Sequence, residues 1–227
     1  MKKILLLMMC AACLDGLAQN TDWANLAKYS SDNARLGAPK AGEKRVVFMG
    51  NSITEGWKLM DSAFFTGRPY IDRGISGQTS PQMLIRFRPD VIALKPAVVV
   101  ILAGINDIAE NNGPISLEAV FGNIVSMVQL AKANNIKVVM CSVLPANRFP
   151  WRPNILPAEK VIVLNKMLSA YAAENKISYV DYYSVMVDDK KGLPKKFAED
   201  GIHPTVEGYK VMEELVEAGI KKAIKKK

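Results

Sequence analysis

The chain holds one histidine, His203, which stands three residues after Asp200 in the turn "DGIHP". An Asp-x-x-His turn can set the carboxylate beside one imidazole nitrogen and leave the other facing outward with a free lone pair. A serine hydroxyl needs such a base to take its proton as it attacks an acyl carbon. Ser52, in the stretch "VVFMGNSITEGW" over residues 46 to 57, is the candidate hydroxyl. Taken singly, each residue also has a plain structural reading. Ser52 follows Gly50-Asn51 in a sequence that suits a turn, and His203 sits in a Gly-containing surface turn. Asp181 and Asp188 are other carboxylates that could orient the imidazole; the local spacing favours Asp200.

Acyl transfer also needs hydrogen-bond donors aimed at the oxyanion that develops, each costing about 3 to 4 kcal/mol when removed. Three candidates stand out: the backbone N–H of Ser52, the backbone N–H of Gly77 in "GISGQTS", and the side-chain amide of Asn106 in "GINDI". In isolation Gly77 reads as a helix-leading turn glycine and Asn106 as a left-handed turn residue.

These residues must be positioned by the elements between them. Short β-branched runs occur at 45–49 (RVVFM), 70–73 (YIDR), 97–103 (AVVVILA), 137–143 (KVVMCSV) and 178–182 (SYVDY). They alternate with helical spacings over Pro81–Leu94, Leu117–Asn134, Pro157–Asn175 and Val206–Lys222. Continuous apolar strands separated by helices of this length predict parallel strands covered on both faces. The expected fold is α/β and three-layered, with a flavodoxin-like sheet of about five parallel strands and helices on both faces. In such sheets sites form beyond the carboxyl ends of the strands, where Ser52, Gly77, Asn106 and the loop Leu144–Pro157 all fall. That loop, "LPANRFPWRPNILP", carries four prolines and two aromatics, Phe149 and Trp151, which could stack on a sugar ring or lipid tail or could anchor the loop.

Residues 1–18 read as a secretory signal peptide: Lys2-Lys3, an apolar run over 4–14, then the small residues Gly16 and Ala18 before the cleavage point. The run is too short to span a membrane, which takes ~20 residues. Ala11-Ala12-Cys13 also resembles a lipobox end, although Cys10 stands where Leu is expected, so the signal-peptide reading is preferred. A polar segment over 19–44 with a short helix at about Trp23–Tyr29 would precede one domain over 45–227. Cleavage would leave Cys141 alone, in an apolar run where a buried small hydrophobe is expected rather than a disulfide or a reactive thiol. The net charge of +8 owes much to the C-terminal "KKAIKKK", which suits a solvated helix end. No zinc-ligand spacing, base-reading helix, aromatic RNA motif, G-x-G-x-x-G or P-loop lysine accompanies it, so nucleic acid, metal and nucleotide cofactors are not expected.

Four blocks together resemble the SGNH hydrolases, the GDSL-type esterases and lipases: Gly50-Asn51-Ser52, Gly74-Ile75-Ser76-Gly77, Gly104-Ile105-Asn106-Asp107 and Asp200-Gly201-Ile202-His203. They run in order over nearly the whole of the expected mature chain, and Asn51 departs from the Asp usual in the first. The resemblance implies Ser52 as nucleophile, His203 as base, Asp200 as its orienter, and Ser52 N–H, Gly77 N–H and Asn106 Nδ2 as the oxyanion hole. Within the family the sequence looks most like the branch containing the catalytic subunit of platelet-activating factor acetylhydrolase. That implies an exported enzyme removing small acyl groups, acetyl foremost, from carbohydrate esters. A lipid esterase, thioesterase or lysophospholipase with the same residues is the alternative. A non-catalytic carbohydrate-binding relative is a third reading, favoured by Asn51 alone.

Overall fold

In a computed structural model, which describes residues 22–225, the centre of the molecule is a five-stranded, all-parallel sheet in the order β2-β1-β3-β4-β5. The strands are β1 (Val46–Gly50), β2 (Tyr70–Gly74), β3 (Val98–Ile101), β4 (Lys137–Cys141) and β5 (Ser178–Val180). β1 and β3 are buried along their whole length, as continuous β-branched runs require in a sheet covered on both faces. The candidate signal peptide and Cys13 lie outside the described residues. Among the described residues no helix is long and apolar enough to cross a membrane.

The helices are α1 (Ser30–Leu36), α2 (Ser52–Met60), α3 (Ser62–Phe65), α4 (Ser80–Asp90), α5 (Ile105–Ile108), α6 (Leu117–Ala133), α7 (Ala158–Glu174), α8 (Tyr182–Met186) and α9 (Val206–Lys225). α4, α6 and α7 pack side by side over one face, and α2 and α9 cover the other. The expected helix over Pro81–Leu94 ends at Asp90, where Val91 leaves helical geometry, and a short 3₁₀ turn follows over Ile92–Leu94. The expected strand over 178–182 stops at Val180, because Asp181 accepts the N–H of Ser184 at 3.0 Å and caps α8. The expected N-terminal helix is displaced. Asn25 takes a left-handed φ of 53° and the Asp22 carboxylate accepts the N–H groups of Leu26 and Ala27, so residues 23–29 form turns and the helix starts at Ser30.

Helix α2 was not expected from the sequence, and it is the element that carries Ser52. Its first turn is capped by Asn51, whose side-chain oxygen accepts the N–H of Ile53 at 3.1 Å. Its buried face is fixed by Trp57, which stacks on Phe64 (5.0 Å, 9°) and on Tyr209 of α9 (5.4 Å, 23°). The Tyr209 hydroxyl donates to the carbonyl of Ile53 at 2.8 Å, so the last helix is bonded directly to the turn that holds Ser52. Gly56 makes this approach feasible, since a Cβ there would meet the Tyr209 hydroxyl at 2.9 Å.

Cys141 is buried on β4, and that burial pushes its thiol up to about 12, as expected of an inert core residue. Asp72 on β2 is a costlier buried group. One of its oxygens accepts the N–H of Gly74 at 2.7 Å, and Oδ2 has no partner among the described residues. Burial raises its carboxyl from 3.8 to about 6. A raised folded-state value means that the folded chain keeps a proton the unfolded chain has released, so stability falls as pH climbs from about 4 to 6 and the full deficit, about 2 to 3 kcal/mol, persists above that. Asp72→Asn keeps the acceptor for Gly74 and removes the charge. Thermal unfolding should show this variant with a higher Tm than wild type at pH 7.5 and no gain near pH 4; an equal difference at both values would contradict the assignment.

Candidate active site

The chain changes direction across the sheet between β1 and β3, and the residues singled out by spacing follow those strands and β2. Ser52 is the first residue of α2, so its side chain stands at the positive end of a nine-residue helix, where negative charge is stabilised. Asn51 acts here as an N-cap, a role that Asn and Asp fill about equally well. Its substitution for the family's Asp therefore leaves the cap in place.

His203 Nε2 lies 3.0 Å from Ser52 Oγ, and Nδ1 lies 2.6 Å from Asp200 Oδ2. The other carboxylate oxygen of Asp200 accepts the backbone N–H groups of Ile202 and His203, both at 2.8 Å, which locks the turn around the acid. Partial burial works to raise the Asp200 carboxyl; the hydrogen bonds from the His203 ring and from the two amides outweigh it and hold the group below its ordinary value. A carboxylate at Nδ1 favours the tautomer with its proton there and leaves Nε2 a lone pair toward the hydroxyl. The other carboxylates are occupied elsewhere: Asp181 caps α8, and Asp188 accepts the N–H groups of Lys190 and Gly192.

The three oxyanion candidates sit on the loops after β1, β2 and β3. The Ser52 N–H belongs to the first turn of α2, where no intrahelical acceptor exists. Gly77 adopts φ 77°, a left-handed conformation that glycine takes without strain, and its N–H has no acceptor among the described residues. Asn106 Nδ2 gives one hydrogen to the carbonyl of Gln78 at 3.0 Å and retains a second. Asp107, in the same block, does something else: it is buried and accepts the N–H and hydroxyl of Ser80, fastening the β3 loop to the start of α4.

Several neighbours of these loops carry no sequence signal of their own. The guanidinium of Arg86 is fully buried and donates to the carbonyls of Gly50 (2.8 Å) and Arg73 (2.9 Å), to Asp90 (3.0 Å) and to the side chain of Gln78. Glu55, one turn after Ser52, accepts the N–H of Ser76 at 2.8 Å and pairs with Lys28. Asn111 accepts from the Trp151 indole at 3.1 Å and donates to the carbonyl of Gly77 at 3.4 Å. The two loop aromatics part company. Phe149 is 1% exposed, so its ring anchors the loop and presents no face to a ligand, whereas Trp151 remains partly open and lies 6.4 Å from the His203 ring at 29°. Among the described residues no group of three His, Cys, Asp or Glu side chains is placed to hold a metal ion.

The sequence model for the GDSL-like lipase/acylhydrolase family matches residues 48–211, a span that takes in all four blocks. The chain belongs to that family. A Bacteroides fragilis protein assigned as an acylhydrolase is 56% identical, with a TM-score of 0.88 over 89% of this chain and 99% of its own. Among other relatives, an acetylxylan esterase of Xylanibacter ruminicola is 25% identical over 81% of this chain, which spans 44% of that protein's length. Esterase TesA of Pseudomonas aeruginosa is 28% identical over 73% of this chain and 78% of its own.

Gly74, in the second block, shows how tightly the Ser52 helix is set on β2. A Cβ there would lie 2.1 Å from the backbone nitrogen of Glu55 and 2.8 Å from the carbonyl of Asn51, neither of which can rotate away. Gly74→Ala should therefore push α2 outward. Overpacking of this kind costs about 1 to 3 kcal/mol, which in a chain of this size lowers Tm by roughly 2 to 12 °C. Thermal unfolding at neutral pH checks it, and an unchanged Tm would refute the contact.

Proposed function

We propose that the protein is an exported serine esterase that removes small acyl groups, acetyl foremost, from carbohydrate esters through an acyl-enzyme on Ser52. The observation that carries this reading is the unbroken hydrogen-bonded line Asp200–His203–Ser52, at 2.6 and 3.0 Å, at the N-terminus of a helix. His203 Nε2 takes the Ser52 proton as Oγ attacks the ester carbonyl, and Asp200 stabilises the imidazolium that forms. The oxyanion is received by the N–H groups of Ser52 and Gly77 and by the Asn106 amide. Collapse breaks the carbon–oxygen bond to the alcohol, which leaves with the proton from Nε2. Water, deprotonated by the same nitrogen, then releases the acid and restores Ser52.

The small acyl group is supported by the wall that Trp151 and Asn111 build against Gly77, and the carbohydrate by the likeness to an acetylxylan esterase. Export rests on the character of residues 1–18. A lipid-ester or thioester substrate is the second reading, favoured by the exposed Leu59 and Met60 near Ser52 and by the likeness to Esterase TesA.

Ser52→Ala should lower kcat/KM on p-nitrophenyl acetate by at least ~10³-fold, and His203→Ala should lose at least as much as Asp200→Asn. All three residues are partly exposed, so circular dichroism should show the fold unchanged. Wild-type rates in either alanine variant would end this reading. In a series of p-nitrophenyl esters from acetate to palmitate, kcat/KM should fall with chain length. A buried acyl groove would give the opposite slope, gaining up to about 0.8 kcal/mol per methylene, and would promote the lipid reading.

A further inference from the structure

A groove of about 820 Å³ begins at Ser52 and His203 and runs between α2 and the start of α9. Gly56, Leu59, Met60 and Val206 line it, and none of Gly77, Asn106, Asn111 or Trp151 does. Leu59, Met60 and Val206 are 80%, 54% and 45% exposed, a cluster of apolar surface with no contact that explains it within the fold. Leu59 and Met60 lie seven and eight residues along α2 from Ser52, so the groove extends roughly 10 to 12 Å from the reacting hydroxyl. Beside this stripe stand Lys196, Glu199 and Glu207. Lys196 and Glu207 approach to 4.0 Å, and the remaining charge is acidic, which disfavours an anionic occupant.

The other flank of the Ser52–His203 pair is bordered by a partly exposed wall. Trp151 lies near the imidazole, its indole is held by Asn111, and Asn111 is bonded to the carbonyl of Gly77. An acyl carbon whose oxygen sits at the Gly77 N–H therefore faces this wall. The departing alcohol must stay within reach of His203 Nε2, which gives it its proton, and the groove opens from that histidine.

We infer that the α2–α9 groove is the subsite for the alcohol half of the ester, a neutral polyhydroxy group whose apolar ring faces meet Leu59, Met60 and Val206, while the Trp151–Asn111–Gly77 wall limits the acyl half. This rests on the esterase reading above and assigns each half of the substrate a side of Ser52.

The test uses the full chain and two ratios of kcat/KM. One compares a monoacetylated neutral disaccharide with ethyl acetate, and the other compares p-nitrophenyl butyrate with p-nitrophenyl acetate. The double variant Leu59→Ser/Met60→Ser, altered only at exposed positions, should lower the disaccharide-to-ethyl ratio about tenfold and move the butyrate-to-acetate ratio by less than about twofold. Trp151→Ala should do the reverse and raise the butyrate ratio several-fold. If the double variant shifts the acyl ratio and spares the alcohol ratio, the groove holds the acyl chain and the inference falls while the esterase reading stands. If wild type hydrolyses none of the four esters, both fall.

Discussion

A cation without access to water holds the site together. Arg86 has no exposed surface, and the cost of burying its charge is offset by Asp90 four residues along α4 and by acceptors at nearly every point of its fork. Two of those acceptors are the carbonyls of Gly50 and Arg73, at the ends of β1 and β2, and the Gly50 oxygen also accepts the N–H of Ile75 at 3.2 Å. The third is the side chain of Gln78, whose own carbonyl holds Asn106. One side chain thus fixes the spacing of the loops that carry Ser52, Gly77 and Asn106. Its rigidity is what the proposed oxyanion site needs, since donors that must reorganise during the reaction contribute less.

What could be read in the sequence follows from how local each signal is. The strands were legible because β3 and β4 are uninterrupted apolar runs, and the Asp200–His203 contact because its two partners are three residues apart. Helix α2 was hidden: Gly50, Asn51 and Ser52 read as turn chemistry, and only the docking of Trp57 against Tyr209 shows why a helix wins there. Arg86 and Asn111 gave no signal, since every bond they make to the site crosses to another element. The pair Phe149 and Trp151 looked equivalent two residues apart, and burial separated them into an anchor and a partly open wall.

The family's four blocks are also less uniform than their sequence suggests. Asn106 offers an amide to the site, while its neighbour Asp107 turns inward and bonds Ser80. Ser76 gives its N–H to Glu55, and Gly77, next to it, keeps its own. These two blocks therefore each combine a residue that faces the space beside Ser52 with one that ties its loop to another element.

The bond from the Tyr209 hydroxyl to the Ile53 carbonyl joins residues 156 apart in the chain. On a ribosome, the sheet through β5 can assemble while the segment that bears His203 is still being made. Ser52 then waits beside an empty position, its helix lacking the tyrosine that covers Trp57. Because this contact closes a loop of 156 residues and needs α9, the turn that holds Ser52 takes its final packing only at the end of synthesis. A chain that stopped after β5 would carry Ser52 and lack His203, the base proposed for it.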